Sequence, residues 1–491
     1  MVDDEFKLFD YQSTGADWLR ERKTALLADE MGLGKSAQAI TAASKINPLR
    51  VVVLCPAVAR ENWDREFRRF SDRPWRSDII FSRSEPRRLD ADLIISSYNL
   101  ADELARGLRD TERIGVLILD EAQFLKSTES KRTQVTLGRG GLVRRADRVW
   151  ALSGTPAPNH AAELWPILFT FGQTKLSYPE FVERYCTTYS FKPPRGETRI
   201  QITGTKPERI DELRAILDPI MLRRRKVDVL KDLPSITFSD IVVPANAIDY
   251  EIQYVQWTHP YDRRAELEAL VDKERKLVTA ICEASPSWRQ EFNGLSGVMN
   301  SVAGLRRYTG LQKVDGIADL VAQELENGDY AKIVIFAIHQ GVIEGLRHKL
   351  RRFKPVTLYG QTPAAKRQIN VDKFQKNPKC RIFIGNIQAA GTAITLTSAH
   401  NVLFAEQSWV PGENAQAAMR CHRIGQERPV FVRFAGLANS IDAKVASTLR
   451  RKTRELMHLF DGRYVPSESP ESVDDPSAIV PMFLDREDIF T

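Results

Sequence analysis

The sequence predicts an α/β fold built as two parallel-sheet halves with helical material between them. Three observations carry this reading. Short, continuously apolar runs of the kind buried parallel strands show alternate with amphipathic stretches. A glycine-bearing loop, "DEMGLGKS" (29–36), lies between an apolar run and a helical pattern. The strand–helix alternation lapses after about residue 160 and returns near "AKIVIFAIHQ" (331–340). At 491 residues the chain is too long for one ordinary domain.

Taken in order, "KTALLADEMGLGKSAQAITAASKI" reads as strand, turn and helix. "LRVVVLCPA", "ADLIISSY", "IGVLILDEA" and "DRVWALSGT" read as further strands, separated by helices such as "ENWDREFRRF". Strands alternating with helices imply βαβ units, a parallel sheet and right-handed crossovers. Residues from about 160 to 235 bring aromatic-rich helices and a looser stretch, "FKPPRGETRIQITGT"; about 245 to 310 is mostly helical and charged. "AKIVIFAIHQ", "KPVTLYGQ", "CRIFIGN", "HNVLFAEQ" and "VFVRFAG" then supply a second sheet. "VPSESPESVDDPSAIVP", rich in Pro, Ser and acid, is expected to be a mobile tail.

Composition narrows the class. No apolar run approaches the roughly 18 residues of a transmembrane helix. The N-terminal "MVDDEFKLFDYQ" is acidic without an apolar h-region, so secretion is not expected. Cys55, Cys186, Cys282, Cys380 and Cys421 lie far apart with no C-x-x-C pair. That argues against a zinc ribbon or a disulfide framework and suits a reducing compartment. From Pro466 onward seven acids face one base, so the rest of the chain carries about +13 within an overall +7. A basic body is compatible with a polyanionic partner, though charge alone does not name one.

The loop at 29–36 ends as a phosphate-binding loop should. Gly32 and Gly34 let the backbone curl its N–H groups toward phosphate oxygens, Lys35 would neutralise the β/γ-phosphates, and Ser36 would ligate Mg²⁺. The whole segment Asp29, Glu30, Met31, Gly32, Leu33, Gly34, Lys35 and Ser36 is therefore the expected ATP cradle. A turn merely joining strand to helix would look similar, and Asp29 stands where the usual pattern has its first Gly. "VLILDEAQ" argues for the ligand: Asp120 and Glu121 fall at the C-terminal end of a buried strand, where open α/β sheets place ligands. Asp120 would hold Mg²⁺ and Glu121 would polarise the attacking water. A nucleoside triphosphatase is the reading these segments support.

At this point the chain resembles the helicase superfamily-two ATPases, and within them the Swi/Snf-type double-stranded DNA translocases. The resemblance runs from about Leu8 to Phe434. "LFDYQSTGADWL" looks like the family's N-terminal Gln motif, which makes Gln12 the adenine reader. "CPAVARENWDREF" and "LIISSYN" resemble its first DNA-contacting motifs, and "ALSGTPAPN" its lobe-coupling Ser-Gly-Thr-Pro segment. "IMLRRRKVDVLKDLP" resembles the segment closing the first lobe in Swi/Snf proteins; "ELWPILFTF" and "FVERYC" look like their helical protrusion. "LYGQTPAAKRQINVDKFQ", "AAGTAITLTSAHNVLFAEQSWVPGENAQ" and "RCHRIGQ" continue in the family's order, in wording similar to the annealing-helicase and fork-remodelling subgroup. Gln123 replaces a frequent His, Ala393 a usual Gly, and Phe9–Asp10 a frequent Arg-Pro.

The resemblance implies two tandem RecA-like lobes with helical insertions. Expected segments are a first lobe at 1–160, a helical protrusion and end of that lobe at 161–235, and a helical insertion at 236–312. A second lobe with a brace helix at 313–464 and an acidic tail at 465–491 complete them. The implied function is an ATP-dependent motor on double-stranded or branched DNA, with ATP and Mg²⁺ as cofactors and no membrane. Its expected setting is intracellular, with DNA, in a bacterial or virus-infected cytoplasm rather than a nucleus. Arg420 and Arg423, read as sharing one helical face at i and i+3, would be arginine fingers, with Gln416 sensing the γ-phosphate. Cys421 and His422 would be supports rather than metal ligands. DNA contacts would fall on Arg60, Ser97, Gly360, Thr362 and Trp409. "RRRK" (223–226) could be a solvated helix face or a brace between lobes. A DEAD/DEAH-type RNA helicase and a non-enzymatic DNA-binding scaffold are the alternatives.

Overall fold

The computed structural model of the chain describes residues 8–83, 90–108, 113–191, 199–244, 306–307, 309–360, 362–390, 394–437 and 440–461. In the first part of the chain the strands are β1 (Thr24–Leu27), β2 (Val51–Cys55), β3 (Ser77–Ile79), β4 (Leu93–Ser97), β5 (Ile114–Asp120) and β6 (Ala146–Leu152). After them, β7 (Cys186–Phe191) and β8 (Arg199–Thr205) pair as a small separate sheet, and β9 (Met221–Leu222) returns to the edge beside β1. The resulting parallel sheet has the order β3-β4-β2-β5-β6-β1-β9. Every residue of β2 and β4 is buried, as expected of strands covered on both faces.

A second sheet uses β10 (Ile236–Val243), β11 (Ile333–Ala337), β12 (Val356–Leu358), β13 (Ile382–Asn386), β14 (Asn401–Phe404) and β15 (Val430–Leu437). Its order is β10-β15-β14-β11-β13-β12, again parallel throughout. Apolar clusters cover both of its faces, one around Ile335, Ile384 and Leu403, the other around Phe336, Phe383 and Phe404. These alternate residues of the same strands must point to opposite faces. The two-lobe α/β architecture expected from the alternating runs is thus the fold.

The chain divides into two compact units. The first takes in the described residues up to Thr188, then Gly204–Leu233, and again from Glu455 on; the second takes Tyr189–Thr203 and Pro234–Arg454. The division passes through the last helix, Ile441–Asp461. Within the first unit, Glu455 accepts the Thr205 N–H at 3.0 Å, His458 lies 3.4 Å from Asp211, and Phe460 sits under the Arg223 guanidinium at 5.5 Å. Those contacts place the end of this helix with the first lobe, although the expected second lobe ran to 464.

Other elements differ from expectation. The interval 236–312 was expected to be helical, yet it opens with β10, which pairs residue for residue with β15 over Ile236–Val243. As an edge strand it exposes most of its side chains, so "ITFSDIVV" lacks the solid apolar run of a central strand. Residues 245–305 of that interval, Ala393 and the tail 465–491 lie outside the described residues. "RIQITGT", within the looser stretch, is β8. Among the described residues no helix is long and apolar enough to cross a membrane.

Candidate active site

Parallel strands bring their C-terminal ends to one edge, so Asp29, Ser97, Asp120 and Ser153 follow or end β1, β4, β5 and β6 on the same rim of the first sheet. The phosphate loop leaves β1 and enters the helix Lys35–Ile46 through Gly34, whose φ of 71° is left-handed. A Cβ at Gly34 would stand 2.3 Å from Gln12 Nε2, so both conformation and space require glycine there. The helix follows from its alanine-rich sequence, with Ala37, Ala39, Ile40 and Ala43 buried, and it stops at left-handed Asn47.

Lys35 Nζ donates to the Asp29 carbonyl at 2.7 Å. Burial lowers its pKa, opposed by the negative charges of Glu121, Asp29 and Asp120. The loop lysine and the acidic pair therefore share one electrostatic neighbourhood. Burial and then the Glu121 charge push the Asp120 carboxyl up to about 7. A cation at this carboxylate would draw it back to the ionised form. Its Oδ2 accepts from the Trp63 indole N–H at 2.8 Å, and its carbonyl accepts from the Tyr98 hydroxyl at 2.7 Å. Glu121 sits at φ 50°, the left-handed start of the turn Ala122–Leu125.

Gln123 answers the departure from histidine. Its amide nitrogen donates to Glu121 Oε2 at 2.7 Å, while its oxygen accepts from the Ser153 hydroxyl at 2.6 Å. Ser153 in turn accepts the Thr155 N–H at 3.1 Å. A neutral side chain thus ties the acidic pair to the "SGT" segment without a titrating group. The adjacent Gly154 passes close by the phosphate loop: a Cβ there would lie 2.5 Å from Met31 Cγ and 3.3 Å from Lys35 Nζ.

Several first-unit residues expected to hold nucleotide are occupied structurally. The Asp29 carboxylate is fully buried and meets Arg224 through Nε at 2.9 Å and through Nη2, with Gln38 Nε2 at 3.0 Å. These bonds fix the base of the loop. Glu30 accepts the Lys226 N–H at 2.7 Å. Gln12 donates to the Leu33 carbonyl at 3.2 Å and accepts from the Phe9 N–H at 3.1 Å, bracing the loop. "RRRK" is not the solvated helix face that was one of its two expected readings. Arg223 bonds the carbonyls of Ala28 and Gly154, Arg224 clamps Asp29, and Lys226 is buried. Arg60 donates to the Ile80 carbonyl at 2.6 Å and lies over Phe81 at 4.8 Å; Ser97 is buried at the end of β4.

In the second unit Gln416 is on the helix Pro411–Ala418. Arg420 and Arg423 are not on that helix, which ends at Ala418; Arg420–Gly425 follow as turns, with Gly425 at φ 95°. The i, i+3 helical face expected of the two arginines is therefore absent. The turns are held by Gln426, whose amide nitrogen bonds the carbonyls of Thr397, Ala399 and Cys421, and by the Leu396 N–H donating to the Arg420 carbonyl. Arg423 donates to Thr395 Oγ1 at 2.9 Å. His422 Nε2 lies 2.7 Å from the Pro234 carbonyl, and Cys421 is buried in the apolar core, where burial raises its thiol pKa. Both are supports.

Trp409 lies under the Arg306 guanidinium at 5.0 Å, and Arg306 also donates to the Gln407 carbonyl. Gly360 and Thr362 belong to a turn gathered by Arg367, which donates to the carbonyls of Tyr359, Gly360 and Thr362. Trp63, Arg306 and Arg367 were not singled out from sequence, and Arg224 was noticed only as part of "RRRK". Trp63, Arg224 and Arg306 act through partners 57, 195 and 101 positions away, which motif spacing does not report, whereas Arg367 gathers a turn within eight residues of itself.

Comparison with known proteins gives the chain's family. Residues 11–285 match the SNF2-related domain and residues 312–425 the helicase conserved C-terminal domain. The chain is 29% identical to the cattle (Bos taurus) DNA annealing helicase and endonuclease ZRANB3 over 93% of its own length and 41% of that protein's. It is 31% identical to a Caenorhabditis elegans homolog of SWI/SNF-related matrix-associated actin-dependent regulator of chromatin subfamily A-like protein 1, over 91% of this chain and 61% of that one. It therefore spans only part of the length of these relatives. The solved SWI2/SNF2 ATPase core of Sulfolobus solfataricus in complex with dsDNA is 23% identical, with 93% of each chain covered and a TM-score of 0.40. With more than half of its residues matched by that domain, the chain belongs to the SNF2-related family.

Proposed function

We propose that this chain hydrolyses ATP to move along duplex DNA, reannealing or remodelling branched DNA as it goes. The observation that carries the reading is the first-unit rim, where the Lys35 ammonium feels the charges of Glu121 and Asp120 beside a loop shaped for phosphate. Lys35 would neutralise the β- and γ-phosphates, while N–H groups of the loop from Met31 to Ser36 cradle their oxygens. Ser36 and Asp120 fit Mg²⁺, a hydroxyl and a carboxylate being the few protein ligands it takes beside phosphates. Mg²⁺, when bound, supplies positive charge to the β/γ oxygens. Glu121, oriented by Gln123, would position the attacking water and accept its proton.

Arg420 and Arg423 would act on the γ-phosphoryl group as arginine fingers, with Gln416 beside it. Fingers of this kind contribute on the order of 10³–10⁵ in rate. Either arginine changed to Ala should therefore lower turnover more than nucleotide affinity. DNA would be held at Arg60, Ser97, Gly360, Thr362 and Trp409, largely through its backbone and so with little sequence preference. Similarity to a protein named a DNA annealing helicase supports the branched-DNA part of the reading. The test is ATP hydrolysis with duplex DNA, single strands, forks, RNA and no nucleic acid. Duplex or forked DNA should stimulate at least about tenfold more than RNA, a difference of about 1.4 kcal/mol in barrier. Equal stimulation by RNA would favour an RNA helicase, and no hydrolysis a scaffold.

A further inference from the structure

A cavity of about 380 Å³ opens in the first unit between the end of β4 and the helix Lys131–Leu137. Arg83, Asn99, Asp102, Ser130, Lys131 and Arg132 line it. Asp102 is the carboxylate among them, and Lys131 engages it at 2.5 Å, with Arg106 3.9 Å away. Asp102 also feels the Arg83 charge, but one carboxylate cannot offset Lys131, Arg83 and Arg132 together, so the lining keeps a positive excess. Arg83 donates to the Asn99 carbonyl at 3.1 Å, which uses one N–H and cancels no charge. The Arg132 guanidinium lies over Phe124 at 5.5 Å, and its Nε is buried and meets no acceptor among the described residues. The Ser130 hydroxyl is taken up capping the helix and donating to the Ser127 carbonyl, so the two forked cations and the Asn99 amide are what suit a tetrahedral oxyanion.

The back of the cavity reaches the ATP site. Tyr98, also lining it, stacks on Phe124 with ring centroids 5.8 Å apart and planes 6° from parallel. Its hydroxyl donates to the Asp120 carbonyl at 2.7 Å. Tyr98 directly follows Ser97, so the cavity continues the rim on which DNA contacts are expected. We propose that this cavity holds a backbone phosphate of bound DNA through Arg83 and Arg132, and that Tyr98 conveys its occupancy to Asp120. The site rests on the DNA-motor reading and adds to it a phosphate contact and a route to the catalytic carboxylate. In this arrangement Tyr98 is a positioning residue.

The test uses the full chain without nucleotide, titrated with a short duplex at several salt concentrations. Each lost phosphate contact removes about one from the slope of log affinity against log salt. The double variant Arg83→Gln/Arg132→Gln should lose about tenfold in affinity and one to two in that slope. Lys376→Gln, at an exposed cation of the second unit, should change neither. Arg132→Lys keeps the charge and loses the fork, so it should recover most of the slope and separate lost charge from a damaged fold. Tyr98→Phe should bind duplex as the wild type does, yet lose about tenfold in the ratio of duplex-stimulated to unstimulated hydrolysis, about 1.4 kcal/mol. A merely structural tyrosine would lower both rates together and leave the ratio unchanged. Wild-type affinity and slope in the double variant would overturn the phosphate site, and an unchanged ratio in Tyr98→Phe would overturn the route to Asp120. A wild-type chain that binds no duplex would remove the DNA-motor reading itself, a failure visible before any variant is made.

Discussion

Arg224 and Asp29 show how one residue can serve the site without touching a ligand. Asp29 is buried at the root of the phosphate loop, with Arg224 supplying two N–H groups to its carboxylate and a third to the Tyr11 carbonyl. Arg224→Met would strand a buried carboxylate, and breaking such a pair costs about 3–5 kcal/mol. Urea unfolding midpoints should report that loss, and nucleotide affinity should fall with it. Gln123→Ala acts differently, removing the amide between Glu121 and Ser153 while leaving the core alone. It should lower kcat by about tenfold with KM for ATP little changed, since only water positioning is touched. The residues of the loop and the acidic pair were legible because chemistry demands those types at those spacings. Arg224 and Trp63 were not, because their partners lie 195 and 57 positions away. "RRRK" read from sequence as a solvated helix face or a brace between lobes; three of its four side chains are turned inward to carbonyls, a carboxylate or the core, which no surface reading of the charges could report.

The elements divide by how far their apolar pattern agrees with their burial. Central strands such as "VVVLC" and "IVIFA" are buried at every residue and stood out as continuous runs. β10 did not, because an edge strand has little to bury, and the helix Pro411–Ala418 ends sooner than its sequence suggests. Gly34 governs the turn into the helix Lys35–Ile46, so Gly34→Ala meets a left-handed φ and Gln12 at once. The substitution should weaken ATP binding at least tenfold, measurable by titration with a fluorescent nucleotide, at about 1–2 kcal/mol of backbone strain. Beyond β14, Glu406 is buried, which alone would raise its pKa. His339 Nδ1 and the N–H groups of Ile338 and His339 instead hold it below the ordinary 4.5. A carboxylate with a depressed folded pKa stabilises the protein above its unfolded pKa and loses that contribution as pH falls through the folded value. Glu406→Gln should therefore flatten the fall in thermal stability on acidification below about pH 4.5, and a midpoint series from pH 7 to pH 3 measures it.

For the whole molecule, the two parallel sheets each put their loops at the C-terminal ends of their strands, and the motif order along the chain matches the order of those loops. That agreement made the architecture legible: periodicity announces sheets and helices, and chemistry announces the loops between them. What periodicity does not announce is which lobe claims an element, as the end of Ile441–Asp461 shows by bonding to Thr205 and Asp211. A body carrying about +13 outside its acidic end should bind DNA with a steep salt dependence. Binding alone, however, does not distinguish a motor from a clamp. Displacement of a third strand from a DNA triplex does, because only a protein that travels along the duplex strips that strand. The wild-type chain should displace it with ATP and Mg²⁺, and should fail with a non-hydrolysable analogue or with Lys35→Ala. ATP hydrolysis stimulated by duplex DNA with no strand displaced would contradict directional movement on DNA.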